Sequence, residues 1–272
     1  MPLAVCATPI GNLDDVTLRV LAALRDADVV LCEDTRRTRV LLDRHGLSPP
    51  RLLSYHRHNE ARRVEELLPA LAGGARVALV SDAGMPGVSD PGARIVAAAL
   101  AAGVPVTVLP GASAVETALV AGGFGGGPYR FLGYLPRRAG ERAQLWQELE
   151  RWPHAAVAFE SPNRLPVSLR SLAAALPERP VAVCRELTKR FEEVVRGPAA
   201  EVAGRFQEPP RGEVTLVLGP SPAVAEGTAA ELEEALAAVD ELVAAGLQRR
   251  RAAELVARLS GRARNVLYRR SL

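Results

Sequence analysis

The 272-residue sequence has almost no lysine and few aromatic residues. Of its 34 lysines and arginines, only Lys189 is a lysine, which excludes any catalytic mechanism that needs two lysines. Aromatic residues make up 4% of the chain, which argues against an extended platform for stacking nucleic-acid bases. Arginine is therefore the residue type available for binding an anionic partner.

The sequence also lacks the features that mark export, membrane insertion and metal binding. No apolar run reaches the length of a membrane span, and no basic segment followed by a hydrophobic stretch begins the chain. The three cysteines, Cys6, Cys32 and Cys184, each lie in an apolar strand-like run, and their spacing matches no metal motif. We therefore expect buried free thiols, no metal, no membrane contact and a cytoplasmic protein.

The stretch Ser81–Gly92 follows an apolar run at 76–80 and precedes a helix-like run at 93–100. It holds three glycines and two prolines within twelve residues. Connections from a strand to a helix usually need only about two to six residues. Because open α/β sheets bind ligands beyond the carboxyl ends of their strands, we interpret this stretch as a binding loop rather than an elaborate turn.

Two further strand-like runs lead into similar loops, at Thr8–Leu13 and Pro110–Ala114. Proline stiffens such loops, and glycine lets the main chain approach a ligand closely. None of the three loops is a G-x-G-x-x-G fingerprint or a G-x-x-x-x-G-K-[ST] phosphate loop. We therefore predict a pocket of backbone amides and carbonyls whose ligand does not depend on a phosphate cradle.

The order of strand-like and helix-like runs predicts an α/β fold with two lobes. Strands and helices alternate in residues 1–121, which predicts a mostly parallel sheet with helices on both faces. The glycine-rich segment 122–128 can hold neither helix nor strand and is interpreted as a linker. The second lobe, 122–222, has strands close together without helices between them, so we expect a mixed sheet. Residues 223–272 are expected to form a small helical extension.

Positive charge accumulates at the end of the extension. Residues 246–272 contain eight arginines and one acid, a net charge of +7, whereas the whole chain has +3; the remainder is therefore about −4. Two short helices, at 249–259 and 262–268, are separated by Ser260-Gly261 and resemble a helix-turn-helix. A basic tail on an acidic body favours a polyanionic partner.

Five stretches, in this order along the chain, resemble the tetrapyrrole-methylase superfamily of S-adenosylmethionine enzymes, and within it the 16S rRNA (cytidine-2'-O)-methyltransferases. They are Thr8–Leu13, Cys32–Arg36, His58–Glu60, Ser81–Gly92 and Pro110–Ala114. The resemblance covers nearly the whole chain, and several motifs in register make it specific. It implies the two-lobed tetrapyrrole-methylase fold, S-adenosyl-L-methionine as cofactor, 16S rRNA of the small ribosomal subunit as partner, and a homodimer.

The resemblance places the cofactor in a cleft with one wall from each lobe. The first wall would consist of Pro9, Ser81, Asp82, Ala83, Gly84, Met85, Val88, Ser113 and Ala114. The second would consist of Phe159, Cys184, Arg185, Glu186, Leu187, Gly212, Glu213 and Val214. Backbone amides suit the adenine of the cofactor, and carboxylate or carbonyl oxygens suit its ribose and its cation.

The expected reaction is in-line attack of a ribose 2'-oxygen on the methyl carbon. Alignment can supply about 7–11 kcal/mol of the barrier reduction, and a general base roughly a hundredfold in rate or more. The candidate bases lie at strand ends: Glu33, Asp34, His58 and Glu160, with His56 and Glu186 as further candidates. The choice among them stays open, because Glu160 with Arg164 and Glu186 with Arg185 equally suit ion pairs that hold the lobe.

Arginines that follow two of the loops or lie in the extension are the predicted RNA contacts: Arg36, Arg37, Arg137, Arg138, Arg249, Arg250, Arg251, Arg262 and Arg264. With so few aromatic residues, contacts to the backbone and shape of a structured RNA are favoured over base stacking.

Two other functions fit part of the sequence. One is carbon methylation of a tetrapyrrole precursor. The basic extension argues against it, and so does the loop at Ser81–Gly84, where those relatives typically have Gly-Asp-Pro. The other is a nucleic-acid-binding regulator that uses the C-terminal helices. The motif loops on both lobes favour catalysis over regulation.

Overall fold

The structure is a computed structural model. It describes residues 2–260 and 264–272, and their side chains except at 222–231, 265 and 266. The described chain forms two five-stranded sheets, each with its helices, followed by a helical extension. The predicted α/β architecture is confirmed.

The first lobe is built on a wholly parallel sheet with strand order β3-β2-β4-β1-β5. Its elements are β1 (Leu3–Cys6), a 3₁₀ turn (Leu13–Asp15), α1 (Leu18–Asp26), β2 (Val29–Cys32), α2 (Thr35–Arg44), β3 (Leu52–Ser54), α3 (Glu60–Ala72), β4 (Val77–Val80), α4 (Ala93–Ala101), β5 (Val106–Leu109) and α5 (Ala114–Gly122). Alternate residues of β1 enter different cores, Leu3 and Val5 on one face and Ala4 and Cys6 on the other. The sheet is therefore covered on both faces, as its continuous apolar strands predict.

The strand order brings the three glycine- and proline-containing loops together. Because β1 lies between β4 and β5 and all three are parallel, their carboxyl ends meet at one edge. The loops after β1 and β4 also exchange backbone hydrogen bonds: Thr8 N donates to Gly84 O (2.8 Å), and Gly84 N donates to Thr8 O (3.0 Å). This edge is a single rigid surface rather than three separate turns.

The second lobe is a mixed sheet with order β6-β7-β10-β8-β9, in which the neighbours β6 and β7 pair in parallel and the other three neighbouring pairs are antiparallel. Its elements are β6 (Tyr129–Tyr134), α6 (Ala139–Glu150), β7 (Ala155–Glu160), α7 (Leu165–Ala175), β8 (Pro180–Arg185), β9 (Glu193–Pro198), α8 (Ala199–Arg205) and β10 (Val214–Leu218). The mixed sheet is confirmed. The expectation of strands without helices between them was wrong, because α6, α7 and α8 cover one face of this sheet, where Leu165, Leu169 and Val202 are buried.

Helix α5 covers the other face of the second sheet, although it belongs to the first lobe. Val115, Ala118 and Leu119 of α5 share a buried core with Val157 of β7 and Val217 of β10. A glycine at position 123 ends the helix in a left-handed conformation (φ 82°), and the predicted linker then runs to β6. The lobes are thus joined by packing as well as by the chain.

The three cysteines are free and buried, as expected, and burial raises the pKa of Cys6 to about 12 and that of Cys184 to about 11. Their thiols are therefore protonated at neutral pH.

The extension consists of α9 (Pro222–Ala244), α10 (Arg249–Ser260) and α11 (Arg264–Arg270). These helices bury a small core of their own, in which Val239, Ala252 and Leu267 are fully enclosed. Residues 261–263 lie outside the described part of the chain. They include Gly261 of the predicted turn and Arg262, so the helix-turn-helix likeness stays a prediction. Among the helices described, none combines the length and the apolar character needed to cross a membrane.

Candidate active site

A cavity of about 830 Å³ lies between the two lobes at the carboxyl edge of the first sheet. Of the predicted cofactor residues, those that line it are Asp82, Ala83, Gly84, Met85, Val88, Ser113, Ala114, Phe159, Cys184, Leu187, Glu213 and Val214. The volume is within the usual range for small-molecule sites. Residues from both predicted walls therefore face one cleft.

Two predicted residues of the first wall lie behind the cavity surface. Ser81 is buried, and its hydroxyl donates to the carbonyl of Gly84 (3.0 Å) while its own carbonyl accepts from Thr8 Oγ1 (3.0 Å). Pro9 is also buried and does not line the cavity. Gly84 itself has φ +78°, which a glycine adopts without strain. Ser81 and Thr8 thus fix the shape of the loop that faces the ligand.

Glu186 and Gly212 support the second wall from behind. The Glu186 carboxylate accepts hydrogen bonds from Lys189 Nζ (2.9 Å) and from the backbone N–H of Glu213 (2.9 Å). Gly212 has φ +89°, and a Cβ at this position would collide with the Glu186 side chain. The absence of a side chain at 212 therefore lets Glu186 hold Glu213 at the cavity.

Of the two ion pairs that the sequence suggested, the structure contains Glu160 with Arg164 but not Glu186 with Arg185. Glu160 is fully buried and pairs with Arg164, and it also accepts from Ser168 Oγ (2.5 Å) and Ser161 N (2.6 Å). Arg185 contacts Glu193 (3.0 Å) of the neighbouring strand rather than Glu186. The Glu160 carboxylate is thus occupied by structural partners, although its residue lines the cavity.

Asp34 and His58, two of the candidate bases, do not line the cavity. Asp34 caps α2, and hydrogen bonds from the side chain and backbone of Arg36 hold the pKa of its carboxyl at about 2. His58 is exposed in the loop after the edge strand β3, 6.0 Å from the ring of His56. In that loop Asn59 accepts a hydrogen bond from the backbone of His56 (2.8 Å) and closes the turn.

Three carboxyl groups gather where the loops after β2 and β4 meet. Burial and then the Asp82 charge raise the pKa of Glu33, a candidate base that lies next to the cavity lining. Asp82 accepts from the backbone of Asp34 (3.0 Å) and from Arg37 Nη1 (3.1 Å). Asp90, which was not among the predicted site residues, lines the cavity, and its pKa is raised to about 6 by burial and by Glu33 and Asp82. Its position in the Ser81–Gly92 loop was the available signal.

Four aromatic residues also line the cavity, of which only Phe159 was predicted. Tyr129, Phe131, Tyr134 and Phe159 line the cavity, and the Phe159 ring centroid lies 5.1 Å from that of Phe131 and 5.6 Å from that of Tyr134. Tyr129 and Phe131 share a strand face by simple alternation, which the sequence shows. Tyr134 joins them because the register of β6 shifts after Phe131, next to Gly133 at φ +67°. Four of the eleven aromatic residues thus line the cleft, which gives it an aromatic surface in a chain that has few such residues.

The predicted RNA-binding arginines occupy different surroundings. Arg37 lines the cavity and contacts carboxylates of both lobes, Asp82 at 3.1 Å and Glu213 at 3.8 Å. Arg249 pairs with Asp240 and donates to the carbonyl of Ser271, so it supports the extension. The remaining described members are exposed: Arg36, Arg137, Arg138, Arg250, Arg251 and Arg264, of which Arg36, Arg138 and Arg251 pair with nearby acids.

Within the described chain, no group of three or more His, Cys, Asp and Glu side chains is arranged to hold a metal ion.

Comparisons with known proteins agree with this geometry. The profile of the Tetrapyrrole (Corrin/Porphyrin) Methylases matches residues 2–203. A Mesorhizobium japonicum protein named ribosomal RNA small subunit methyltransferase I is 42% identical over 272 residues, covering 99% of this chain and 91% of that protein. A Thermotoga maritima protein of the same name is 43% identical over 199 residues, covering 73% of this chain and 89% of that protein.

A solved structure shows the same fold. Uroporphyrin-III C-methyltransferase from Thermus thermophilus, complexed with S-adenyl homocysteine, superposes with a TM-score of 0.55 at 20% identity, covering 82% of this chain and 99% of that chain.

The chain belongs to the tetrapyrrole (corrin/porphyrin) methylases, a class of methyltransferases. Within that class, the curated relatives that match nearly its full length are ribosomal RNA small subunit methyltransferases I. The resemblance inferred from the five motif stretches is therefore confirmed, as is the expected class of enzyme, a methyltransferase that uses S-adenosylmethionine.

Proposed function

We propose that this protein transfers a methyl group from S-adenosylmethionine to the ribose 2'-oxygen of a cytidine in the 16S rRNA of the small ribosomal subunit. The observation that carries the proposal is the cleft between the lobes, lined on one side by three of the motif stretches and on the other by predicted residues of the second lobe. The names of the full-length relatives support a small-subunit rRNA substrate. The cytidine ribose follows from the motif resemblance, and a ribosomal substrate places the enzyme in the cytoplasm.

The cavity residues fit this cofactor chemically. Asp82 and Glu213 supply carboxylates, and Phe131 and Phe159 supply aromatic faces, all of which suit a cationic ligand. The backbone around Gly84, which is held by hydrogen bonds to Thr8, offers amides and carbonyls for the adenine and the ribose of the cofactor. When bound, the cofactor supplies an activated methyl carbon. The protein then has to align the ribose oxygen with that carbon and exclude water, and no covalent bond to the protein is required.

The exposed arginines suit the approach of rRNA. Arg36 lies after the loop that follows β2, and Arg137 and Arg138 follow β6, so two elements that end near the cavity carry cations. Arg250 and Arg264 add exposed cations on the extension. Contacts of this kind to phosphates position the substrate without reading its sequence.

The test is methyl transfer to small ribosomal subunits that lack the modification, with radiolabelled S-adenosylmethionine and digestion of the rRNA to nucleosides. We expect the label on the 2'-oxygen of a cytidine. Ala114→Trp, which fills the cavity wall, should abolish transfer, whereas Ala102→Trp, exposed at the end of α4, should not. Label only on a tetrapyrrole, or no transfer with tight binding of duplex DNA, would support one of the rival functions.

We also propose that the enzyme is a homodimer. Three large apolar side chains are exposed on consecutive elements of the first lobe: Leu100 (61%), Val108 (54%) and Val120 (74%). Val108 belongs to β5, an edge strand of the sheet. Exposed apolar residues beside a free strand edge favour association. Sedimentation should give twice the chain mass, and Val120→Glu should shift it towards the monomer; a monomeric wild-type protein at micromolar concentration contradicts this proposal.

A further inference from the structure

Asp90 differs from the other carboxylates in the cavity in the groups that surround it. Five carboxylates line the cavity: Asp82, Asp90, Glu116, Glu160 and Glu213. Four of them are occupied by neighbouring groups: Asp82 by Arg37, Glu213 by Lys189, Glu160 by Arg164, and Glu116 by the hydroxyls of Ser113 and Tyr129. Within the part of the chain that the structure describes, no cation lies within 4 Å of the Asp90 carboxylate. The Ser81 hydroxyl acts on it as a hydrogen-bond donor. Asp90 nevertheless lacks both the ion pair of Asp82, Glu160 and Glu213 and the two hydroxyl donors of Glu116, so it has oxygen lone pairs available to accept a proton from a ligand.

The backbone holds Asp90 firmly on both sides. The preceding residue, Ser89, has φ +65°, a left-handed conformation that is rare for a residue with a side chain. Its carbonyl accepts a hydrogen bond from Arg57 Nη2 (3.2 Å). On the other side, the carbonyl of Pro91 accepts from the backbone N–H of Gly87 (3.2 Å). Strained conformations fixed in this way are typical of functional loops, because the surrounding contacts must maintain them.

The groups that face Asp90 come from its own loop and from three other places in the fold. Glu33 follows β2 and Asp82 follows β4, and both negative charges oppose ionisation of Asp90, in addition to the larger effect of its burial. Arg57, after β3, favours ionisation, and Tyr134 approaches from the second lobe at the end of β6. The resulting pKa of about 6 leaves the carboxylate ionised at neutral pH but more basic than an ordinary aspartate. A base whose pKa is near the working pH is the efficient kind.

We propose that Asp90 is the catalytic residue that accepts the proton of the attacking ribose hydroxyl. This inference rests on the proposed function. The ribose 2'-oxygen forms a bond to the methyl carbon, the bond from that carbon to sulfur breaks with its electron pair left on sulfur, and the hydroxyl proton moves to the Asp90 carboxylate. The positive charge of the methyl donor is thereby cancelled, and Asp90 leaves the step protonated and loses its proton to solvent.

The test compares Asp90→Asn with wild type in single-turnover methyl transfer to small subunits. The variant keeps the shape of the side chain but cannot accept the proton, so the rate should fall about a hundredfold or more. Affinity for S-adenosylmethionine, measured by calorimetry, should stay within about threefold of wild type. The wild-type rate should decline as pH falls through about 6, and the residual rate of the variant should not show this decline. Asp26→Asn, exposed at the end of α1, is the matched control and should behave as wild type.

The outcomes separate this inference from the proposed function. If wild type methylates the rRNA and Asp90→Asn retains its rate, Asp90 is not the base, and the proposed function stands. A variant that loses cofactor affinity or melts at a lower temperature than wild type shows a structural role for Asp90 and also overturns the inference. If wild type transfers no methyl group to rRNA, the proposed function fails and this inference fails with it.

Discussion

Two aspartates of the first lobe show how differently one side chain behaves in two surroundings. Asp34 is bound by the adjacent Arg36 at the start of α2, and the pKa of its carboxyl is held at about 2. Asp90 lies in the cavity beside two other carboxyl groups, and its pKa is raised to about 6. The same carboxyl group is thus strongly acidic as a helix cap and less acidic in the cavity, because an arginine binds Asp34 whereas burial and two like charges act on Asp90.

The raised pKa of Asp90 predicts that its removal stabilises the fold. The unfolded-state pKa is the ordinary 3.8, below the folded value of about 6, so the folded protein binds more protons between these pH values and loses stability as pH rises through them. Asp90→Asn should therefore be more stable than wild type above pH 6, by about 1–2 kcal/mol after allowance for partial solvent screening, and equally stable below pH 4. Urea unfolding from pH 4 to pH 8 measures the difference. An equal difference at every pH would contradict this explanation.

Gly212 is predicted to be needed for stability and cofactor binding, because a side chain at this position would collide with Glu186. In Gly212→Ala the new Cβ must displace Glu186, which then releases the backbone of Glu213 at the cavity wall. We expect a loss of about 2–3 kcal/mol in unfolding free energy and weaker cofactor binding, since strain and a broken hydrogen bond combine. Gly74→Ala is the matched control, because Gly74 has nearly the same φ (+91°) but no atom within 4 Å of the place that a Cβ would occupy. Equal losses in the two variants would show that only backbone strain matters.

At the scale of the elements, the second lobe depends on Arg179, a buried arginine just before β8 that contacts the carboxyl end of α6. Arg179 is 2% exposed and donates to three backbone carbonyls, those of Leu149 (2.8 Å), Trp152 (3.3 Å) and His154 (3.2 Å). Burial lowers its pKa to about 10, so it remains charged at neutral pH. The planar guanidinium fork of Arg179 thus links the last turn of α6 to the segment that leads into β7. A cation at the carboxyl end of a helix is also favoured by the helix dipole.

Loss of this fork is predicted to destabilise the second lobe. Arg179→Met removes the side-chain donor of all three carbonyls, although the Leu149 carbonyl keeps a backbone bond from Trp152 N. It should lower the unfolding free energy by about 2–4 kcal/mol. Arg179→Lys should recover little, because one ammonium cannot reproduce the fork. Arg151→Met, at the exposed end of the same helix, is the control. Chemical denaturation monitored by Trp146, which is fully buried beside this region, reports the change. A lysine variant as stable as wild type would show that charge alone is sufficient.

At the scale of the whole molecule, positive charge is concentrated at the end of the extension, where eight arginines and one acid lie between residues 246 and 272. The extension begins after both sheets are complete and has its own core, so its arginines are not needed to build the cavity. Three arginines, Arg249, Arg250 and Arg251, open α10, where the helix dipole disfavours cations. Arg249 and Arg251 have acidic partners, whereas Arg250 is exposed with none within 4 Å among the described residues. A polyanionic partner accounts for this arrangement.

The extension is therefore predicted to bind rRNA without affecting the cofactor. Arg250→Gln combined with Arg264→Gln should weaken binding to small subunits and lower the slope of log affinity against log salt by roughly 0.7–0.9 for each phosphate that is no longer neutralised. Cofactor affinity should not change. Arg19→Gln combined with Arg25→Gln, two exposed arginines on α1, removes the same charge elsewhere and is the control. An identical effect in both double variants would mean that net charge, and not the extension, governs binding.

Much of the fold was open to prediction because it depends on local patterns. The continuous apolar runs of β1, β2 and β4 predicted a buried parallel sheet, and glycine and proline after β1, β4 and β5 predicted the loops that line the cavity. The helices α7 and α8 were missed, since short helices that cover a sheet have only a weak periodic signal. Tyr134 was missed because a register shift in β6, and not alternation, brings it to Phe159.

The sequence by itself determined which loops would follow parallel strands, which residues would be buried and where positive charge would accumulate, because these properties depend on neighbours along the chain. Only the tertiary structure decided which side chains have partners. It paired Glu160 with Arg164, placed Glu186 against Gly212, and left Asp90 without a cation in a cavity between two lobes. The physical reason is that a carboxylate's charge state depends on groups within a few ångströms of it, and here those groups come from distant parts of the chain.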